Sequence, residues 1–470
     1  MRTDITEAIG FTYIKNKLEC MSPYGEALIK ELKPYQDKLA LIDELSNISR
    51  AIKALSDQDA VSRLFRLLMP LKDIRRSVCH IGEGALDEVE LFEIKRFLLQ
   101  LKEIVPAYEK TKCALSGVVF PELSGALDLL CIDGNCTAGF YISDKYSQAL
   151  RDIRNKKREL ELKIRSATGS EIDELKRARL IAADAESREE AKIRGELSEA
   201  LLPYKRDILA SIDMLGRVDL VFAKARLAVK YNASCPQITD DMCVEFKQMT
   251  NPYIADALQK NGLTFTPVSI CAGSGSCVIT GANMGGKSVA LKTLALNTYC
   301  ALCGMFVFAE QGRVPMLECI SLISEDSEDT EGGLSSFGGE MLRLGDELKF
   351  ADSCSMLLFD ELARGTNPQE GARIMRALVK YLNNKKAICV LTTHYDGVSR
   401  LAKRRYRVIG LKDFDFDSVK GRAGALAVAQ SMNYGLYEAP NEDECPKEAI
   451  GICKMLLGDS DFLKVLLEEE

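Results

Sequence analysis

The sequence has little histidine, no excess of positive charge and no export signal at its start. His80 and His394 are the only histidines among 470 residues, which leaves few ligands for a zinc-type metal site. With 62 basic and 69 acidic residues the net charge is -7, so the chain lacks the strongly basic character of a dedicated nucleic-acid clamp. The opening MRTDITEAIG has neither the basic nor the apolar region of a signal peptide. Any binding of DNA must therefore be argued from local patterns.

The sequence also lacks an apolar run of membrane-spanning quality. Its most apolar stretch, 289–309, is interrupted by Lys292 and Asn297, which favours a buried helix running into a strand. The 16 cysteines are scattered rather than arranged as a disulfide framework. Cys300 and Cys303 have the spacing of a zinc or redox pair, but no second pair or histidine follows at a zinc-site distance, so we expect them in a helix core. Together these features predict a cytoplasmic protein with reduced thiols and no membrane partner.

The first half of the chain has the pattern of an all-helical region. Apolar residues three or four apart between charges predict helices at 4–18, 24–33, 39–55 and 88–102. We assign 1–140 to a helical lever domain and 207–250 to a helical return and connector. A length of 470 residues and a hydrophobic fraction of 47% leave ample material for several globular domains.

Residues 141–206 are unusually rich in charge. They predict two long helices with a turn near 167–170, which together form an antiparallel coiled-coil arm. Within 145–165, eight basic residues stand against three acidic ones, a local balance of +5. One face of the arm could therefore touch phosphate. Charge on an exposed coiled coil usually serves only solvation, and the returning helix is rich in acids, so contact with nucleic acid stays open.

Residues 251–470 predict an α/β domain, because apolar runs alternate with helical patterns. Strands are predicted at 277–280, 305–309, 320–324, 356–359 and 388–392. The segment after 433 adds a possible strand at 434–438 and two short helices. The predicted fold is an all-α lever with a coiled-coil arm, followed by an α/β P-loop ATPase domain with C-terminal helices.

A phosphate-binding motif follows the first of these strands. The sequence GANMGGKS fits G-x-x-x-x-G-K-[ST] and opens the helix predicted at 289–300. Its glycines let backbone N–H groups wrap phosphates, Lys287 reaches the β- and γ-phosphates, and the hydroxyl of Ser288 can ligate Mg²⁺. The motif therefore predicts a site for ATP and Mg²⁺. This site is formed by Gly281, Ala282, Asn283, Met284, Gly285, Gly286, Lys287 and Ser288.

Two acids end the apolar strand MLLF and supply the remaining groups of an ATPase. Asp360 is predicted to hold the Mg²⁺ shell, and Glu361 to orient or deprotonate the attacking water. His394 follows another apolar strand, where a neutral imidazole could contact the γ-phosphate or the water. These residues predict an enzyme that hydrolyses ATP to ADP and phosphate.

The motifs GANMGGKS, DELARGTNPQEG and TTHYDG resemble the TGPNMGGKST, DE-x-GRGT and ATHY motifs of the MutS mismatch-repair ATPases. The resemblance implies an ABC-type ATPase that works as a head-to-head dimer, homomeric or heteromeric, through its ATPase domains. LSSFGGEM looks like the family segment RSTF-x-x-EM, which caps the partner's nucleotide, so Ser335 is implied as a catalytic group in trans. Leu334 stands where the family has arginine, and Phe265 is a further candidate to stack on adenine.

The resemblance leaves the client open. The first hypothesis is a dimer whose lever and arm open and close as a clamp on DNA, without the mismatch-reading domain that precedes the core in the family and without a nuclease domain after Glu470. The alternative is an ATP-dependent reactivase of a cobalamin-dependent amino-acid aminomutase, because LARGTNPQEG and TTHYDG look like the KamC-like MutS-related proteins. A scaffold with little turnover is a third possibility, against which Glu361 argues. The acidic loop 325–331 suggests a docking surface or a solvated segment.

Overall fold

The structure is a computed structural model that describes residues 3–132, 141–168, 171–281, 286–324, 336–410 and 433–439. Its α-helices are α1 (Thr3–Ala8), α2 (Phe11–Asn16), α3 (Pro23–Lys30), α4 (Lys38–Ala54), α5 (Gln58–Leu68), α6 (Arg75–His80), α7 (Glu88–Lys110), α8 (Ser124–Leu130), α9 (Gln148–Ser166), α10 (Glu171–Leu201), α11 (Lys205–Lys230), α12 (Pro252–Lys260), α13 (Lys287–Leu302), α14 (Ser336–Glu347) and α15 (Pro368–Leu382). Its strands are β1 (Gln237–Thr239), β2 (Cys243–Met249), β3 (Val268–Gly273), β4 (Gly275–Thr280), β5 (Gln311–Pro315), β6 (Cys319–Ile323), β7 (Ser355–Phe359), β8 (Ile388–Thr393), β9 (Arg404–Gly410) and β10 (Asn433–Glu438). The predicted helical N-terminal region and α/β domain are both present.

These elements form two compact units. We call Glu19–Glu31 with Arg50–Ala223 the helical unit, and Met1–Leu18 with Leu32–Ser49 and Lys224–Glu470 the sheet unit. Helices α4 and α11 each run from one unit into the other. The linear domain boundaries drawn from the sequence, at 140, 206 and 250, stay predictions.

A buried aspartate organises the start of α3 in the helical unit. Ser22 caps this helix, with its hydroxyl accepting a bond of 3.2 Å from the Gly25 N–H. Asp219 of α11 accepts bonds from the N–H groups of Met21 and Ser22, at 2.9 and 2.7 Å, and from the Ser22 hydroxyl at 2.6 Å. Gly25 has to be small because a Cβ there would lie 2.5 Å from the Asp219 carboxylate. The helix start is thus fixed by a carboxylate that is nearly 200 residues away in sequence.

Helices α9 and α10 form an antiparallel pair within the helical unit. Ser147 donates to Glu189 and, further along α9, the Arg154 guanidinium bonds Glu186 and Glu190 at 2.9 and 2.7 Å. Nearer the turn, Glu161 pairs with Arg179 at 2.9 Å. Successive pairs therefore run toward higher residue numbers on α9 and toward lower residue numbers on α10. This is the antiparallel arrangement that the sequence predicted for the segment. Few side chains are buried in the pair, among them Leu150, Ala182 and Ile193.

Two helix predictions need correction. The helix predicted at 4–18 is wrong as a single element, because Gly10 adopts a left-handed φ of 85° between α1 and α2. A Cβ at Gly10 would lie 3.0 Å from the Cβ of Tyr253, so close packing reinforces this choice of residue. The helix predicted at 88–102 continues to Lys110 and contains Pro106. Its apolar face continues through buried Ile104 and Tyr108, which explains the extension.

The sheet unit contains two sheets. The larger has the strand order β10-β9-β4-β8-β7-β6, with parallel pairing throughout except for the antiparallel edge strand β10. Every residue of β4, β7 and β8 is buried, as expected for central parallel strands covered by helices. Leu357, Phe359 and Leu391 pack with Met375 and Leu378 of α15 in one apolar core. The smaller sheet has the order β1-β5-β2-β3.

Five of the six predicted strands are present, and the one at 305–309 is wrong. Val307 makes only an isolated bridge with Ser234, and the strand that follows is β5. Phe308 donates its N–H to the Asn297 side chain at 2.7 Å, and its ring is 2% exposed. The apolar character of this run therefore reflects core packing rather than a ladder. The two short helices predicted after residue 438 lie outside the described residues.

Within the described ranges, every helix is too short or too polar to cross a lipid bilayer.

Candidate functional site

The phosphate-binding motif lies where β4 meets α13, at the carboxyl end of the central parallel strand. Gly286 precedes the helix with a φ of 84°, and a Cβ there would lie 2.7 Å from the ring of Tyr434. Glycine meets both the backbone and the steric requirement. Gly281 directly follows β4 on the other side of the motif. Ala282, Asn283, Met284 and Gly285 lie outside the described residues.

Lys287 is the first residue of α13 and is almost completely buried. Its side chain is 3% exposed. The ammonium group donates to the Gly281 carbonyl at 2.9 Å and pairs with Glu361 at 2.9 Å. The lysine thus already lies beside the predicted water-orienting carboxylate, at the positive end of the helix dipole.

Asp360 and Ser288 form the second contact across the site. Asp360 directly follows β7, and its Oδ1 accepts bonds from the hydroxyls of Ser288 at 3.0 Å and Thr392 at 2.7 Å. Burial raises the pKa of Asp360, against the lowering effect of these two hydroxyls. A hydroxyl and a buried carboxylate in contact supply the all-oxygen ligand set that Mg²⁺ prefers. The predicted metal ligands therefore fit the ion by chemistry and position.

Glu361 is held in an unusual backbone conformation. Its φ is 48°, a left-handed value uncommon outside glycine. Its N–H donates to the Thr392 hydroxyl at 2.9 Å, and the same hydroxyl donates to Asp360. Thr392 thus fixes both acids at once. Such strained residues concentrate at functional sites.

The charge of Glu361 is stabilised by Lys287, Arg364 and the imidazole of His394. His394, whose Nδ1 lies 3.7 Å from the carboxylate, and Lys287 lower the pKa of Glu361 to about 2, against the effect of burial. Arg364 lies 3.6 Å from the same carboxylate oxygen. Among the described residues the buried Nδ1 of His394 has no hydrogen-bond partner. An ionised carboxylate beside such an imidazole is suited to holding a water molecule.

The loop after Glu361 is fixed by two further groups. Ala363, with a φ of 64°, donates its N–H to the Glu340 carboxylate of α14 at 3.3 and 3.2 Å. Its carbonyl accepts from the Tyr395 hydroxyl at 2.9 Å. A Cβ at Gly371 would lie 2.4 Å from that hydroxyl, so the glycine makes room for the tyrosine. Ser335, predicted to act in trans, lies outside the described residues.

A cavity of about 350 Å³ lies beside the motif and includes Lys287, Ser288 and Glu361 in its lining. Its apolar wall comes from Ile254 and Leu258 of α12 and from Phe265 and Val268. Phe265, predicted to stack on adenine, thus lines this cavity. Cavities of this size accommodate small organic ligands.

The structure brings Lys287, Ser288, Asp360, Glu361 and His394 together, and it adds residues that sequence reasoning missed. These are Thr392, Glu340, Tyr395, Ile254, Leu258 and Tyr434. A signal existed for Thr392 and Tyr395, since both stand in the TTHYDG motif that also contains His394. Tyr434 stands in a strand that was predicted without a functional role.

For the cysteine pair that has the spacing of a zinc or redox site, the structure shows only packing in the protein interior. Cys300 and Cys303 are fully buried at the end of α13, which confirms their assignment to a helix core. Burial raises the pKa of Cys303 to about 12, so its thiol stays protonated. In the part of the chain that the structure describes, no three histidine, cysteine or acidic side chains cluster as metal ligands.

Comparison with known proteins shows what this sequence is similar to. Residues 277–437 match the family described as MutS domain V. The chain is similar to proteins named Endonuclease MutS2, with 34% identity over 220 residues in Acetivibrio thermocellus, 37% over 211 residues in Latilactobacillus sakei and 32% over 260 residues in Enterococcus faecalis. The matched stretches cover 46%, 45% and 53% of this chain. They span 27%, 26% and 32% of those relatives' own length.

Proposed function

We propose that this chain, a MutS-family protein by the domain V that it carries over residues 277–437, binds ATP with Mg²⁺ and hydrolyses it to ADP and phosphate. The match confirms the family resemblance drawn from the motifs. The observation that carries the proposal is the pair of contacts at the ends of β4 and β7. Lys287 lies 2.9 Å from Glu361, and Ser288 lies 3.0 Å from Asp360.

The roles follow from these positions. Lys287 and the N-terminus of α13 supply positive charge to the phosphates. Ser288 and Asp360 would hold Mg²⁺, which supplies charge neutralisation at the phosphate oxygens when bound. Glu361, with its pKa lowered to about 2, is ionised at neutral pH and accepts a hydrogen bond from the water. Its first role is therefore to orient this water, and its basicity rises when Lys287 turns to phosphate.

The experiment that tests the activity uses two site variants and one control. Lys287→Ala is expected to lower turnover at least about 100-fold, because it removes charge from the transition state. Glu361→Gln is expected to retain ATP and to lower hydrolysis by a similar factor. Lys380→Ala, which changes an exposed lysine of α15, is the matched control. Normal hydrolysis by Glu361→Gln would show that another group orients the water.

We further propose a head-to-head dimer in which Ser335 completes the partner's site. The proposal comes from the motif of residues 334–341 and from the family. Mixing Ser335→Ala with Lys287→Ala chains tests it, since one composite site in each mixed dimer keeps both residues. Recovery of about half a site's turnover is expected, and no recovery at any mixing ratio would contradict the arrangement.

The helix pair α9 and α10 is proposed as a coiled-coil arm by which the dimer closes on DNA. Not all of its predicted basic face is available, because Arg154 and Lys157 pair with acids of α10. Phosphate contact then depends on exposed side chains of α9. These are Arg151, Lys156, Arg158, Lys163 and Arg165.

One observation favours a protein client instead. Leu162 and Leu180 are 62% and 65% exposed. Each directly follows a member of the Glu161–Arg179 ion pair, so the two lie at the same level of the helix pair. Exposed leucines fit an apolar protein surface better than a phosphate backbone.

DNA and protein clients are separated by salt dependence. ATP turnover is measured with and without duplex, mismatched and branched DNA, at about 50 and 200 mM salt. Stimulation that fades with salt, and that Lys156→Gln with Lys163→Gln weakens, supports the clamp. Lys380→Gln with Lys386→Gln, a change of equal charge on the sheet unit, is the control. No response to any DNA at either salt would contradict the clamp and favour a protein client.

A further inference from the structure

Helix α12 has two functional faces. Ile254 and Leu258, four residues apart, both line the cavity beside the phosphate-binding motif, as residues at this spacing share one helix face. Asp256 lies midway between them and is therefore rotated by about 200° from Ile254. The carboxylate consequently projects away from the cavity. The residues that it meets there belong to elements distant in sequence.

Two tyrosine hydroxyls converge on Asp256. Tyr13 of α2 donates to its Oδ2 at 2.6 Å, and Tyr231 donates to the same oxygen at 2.7 Å. Tyr231 directly follows the last residue of α11. The carboxylate therefore joins α12 to the N-terminal helix α2 and to the end of α11, all within the sheet unit. We call these three residues the Tyr-Asp-Tyr cluster.

The environment of the cluster keeps the carboxylate charged and the rings in place. Burial raises the pKa of Asp256, but the two hydroxyls with Lys17 and Lys230 outweigh it, and the pKa is lowered overall. Hydrogen bonds to an ionised acceptor are about twice as strong as neutral ones. The Tyr231 ring packs edge-on against Phe308 at 5.7 Å. The hydroxyl of Tyr231 is thus held by its ring and cannot easily follow α12 if it moves.

The start of α12 is packed against the same N-terminal segment. Asn251 caps α12 by accepting from the Tyr253 N–H at 3.1 Å. Its amide also donates to the carbonyl of Ile9 at 3.5 Å. The ring of Tyr253 lies 5.3 Å from that of Tyr13. The position of α12 is therefore set from outside the cavity, at its first residues and at Asp256.

We propose that Asp256 is a positioning residue for the nucleoside part of the nucleotide, acting through the Tyr-Asp-Tyr cluster to hold Ile254 and Leu258 in the cavity wall. The inference rests on the proposed function, since it assigns this cavity to the base of ATP. The inference assigns different protein contacts to the two parts of ATP. The phosphates contact the motif and α13, whereas the base contacts α12.

The test compares two ligands on the full chain. Affinity is measured for ATP with Mg²⁺ and for inorganic tripolyphosphate with Mg²⁺, which has the phosphates without the base. Asp256→Ala is expected to weaken ATP binding by about five- to tenfold and to change tripolyphosphate binding less than about twofold. Asp256→Asn is expected to rescue ATP affinity, because one amide oxygen can accept both hydroxyl bonds. Gln259→Ala, an exposed change on the same helix, is the control.

Two single tyrosine variants keep the test informative if Asp256→Ala folds poorly. Tyr13→Phe and Tyr231→Phe each remove one hydroxyl and leave the ring packing in place. Each is expected to weaken ATP binding about two- to threefold, and neither adds to the effect of Asp256→Ala. Equal weakening of ATP and tripolyphosphate would overturn the inference in favour of a general structural role, as would unchanged ATP affinity. A wild-type chain that binds tripolyphosphate but gains nothing from the base overturns it too, whereas one that binds neither ligand overturns the proposed function as well.

Discussion

Two aspartates, one buried in the helical unit and one partly buried in the sheet unit, show how the same side chain is used for two purposes. Asp219 in the helical unit is 1% exposed and accepts from the N–H groups of Met21 and Ser22 and from the Ser22 hydroxyl. Asp360 in the sheet unit accepts from the hydroxyls of Ser288 and Thr392. The first carboxylate is bonded mainly to backbone, the second to side-chain hydroxyls.

The difference shows how easily the hydrogen-bond partners of each carboxylate can be exchanged for a ligand. A backbone N–H at a helix start cannot turn away unless the helix start unfolds, so Asp219 is tied to α3. A hydroxyl can rotate and accept as well as donate, so Ser288 and Thr392 can release Asp360 to a cation. Burial raises the pKa of Asp360, which means that its charge is costly until a cation neutralises it. A ligand site therefore has exchangeable partners where a structural site has fixed ones.

The strongest test of this comparison is Asp360→Asn. We expect turnover of ATP to fall at least about 100-fold, because the amide is a poor Mg²⁺ ligand. We expect no loss of stability and a small gain, because the change removes a buried charge. Steady-state turnover at several Mg²⁺ concentrations and thermal unfolding are measured on the same preparation.

The control for this variant is Asp352→Asn, which changes a side chain 71% exposed in the same unit. It should leave turnover within about twofold of wild type. Marked destabilisation by Asp360→Asn would mean that its bonds to Ser288 and Thr392 are structural, and the contrast with Asp219 would fail.

The converse test is Asp219→Ala. It leaves two backbone N–H groups and a hydroxyl without their buried acceptor, so we expect a loss of about 3 kcal/mol of unfolding free energy. Hydrogen exchange should rise in α3 and in the middle of α11, while ATP turnover per folded molecule stays the same. Asp213→Ala, a change on the same helix, is the control. A loss of turnover without loss of protection would show that Asp219 serves the active site.

The two acids of the sheet unit predict opposite effects of pH on stability. Glu361 has its pKa lowered from 4.5 to about 2, so its contribution is present above pH 4.5 and is lost as pH falls toward 2. Asp360 has a raised pKa, so it binds its proton more tightly in the fold and opposes folding as pH rises above its usual value. Glu361→Gln should therefore cost on the order of 2 kcal/mol at pH 7, and this cost should shrink only as pH falls below about 4.5.

Denaturant unfolding between about pH 7 and pH 2 measures this dependence, because the contribution of Glu361 changes below pH 4.5. Asp360→Asn should show the reverse, with its gain in stability largest at neutral pH and shrinking in acid. Parallel pH curves for wild type and Glu361→Gln would contradict the stabilisation that Lys287 and His394 give to the ionised carboxylate.

The site residues could be predicted because they lie in short sequence motifs. Asp360 and His394 directly follow strands, Lys287 opens the helix that follows β4, and parallel strands end at one edge of a sheet. Lys287, Asp360 and His394 could therefore be assigned to one site without knowledge of the chain path. The strands β4, β7 and β8 were equally clear, since short apolar runs without polar interruptions are typical of central parallel strands.

What could not be predicted depends on contacts between distant segments. Asp219 and Ser22 are 197 residues apart, and no local pattern marks either as half of a pair. The same holds for Tyr13 and Asp256, at 243 residues. The run 305–309 was mistaken for a strand because burial alone made it apolar. The interleaving of the two units along the chain is likewise set by tertiary packing.

The smallest expected effect on stability comes from the helix pair α9 and α10, where the charged side chains are only partly buried. Lys157 is 28% exposed and pairs with Glu186, which also binds Arg154. Because water can replace most of this interaction, Lys157→Gln should cost about 0.5 kcal/mol, and local hydrogen exchange near Glu186 should rise slightly. Arg188→Gln, which breaks a pair with Asp184 that is 80% and 62% exposed, should cost still less. The contradicting result is that Lys157→Gln costs as much unfolding free energy as Asp219→Ala. The helix pair would then rely on its charges as the helical core relies on its buried carboxylate. In that case the distinction between fixed and exchangeable partners would not follow burial.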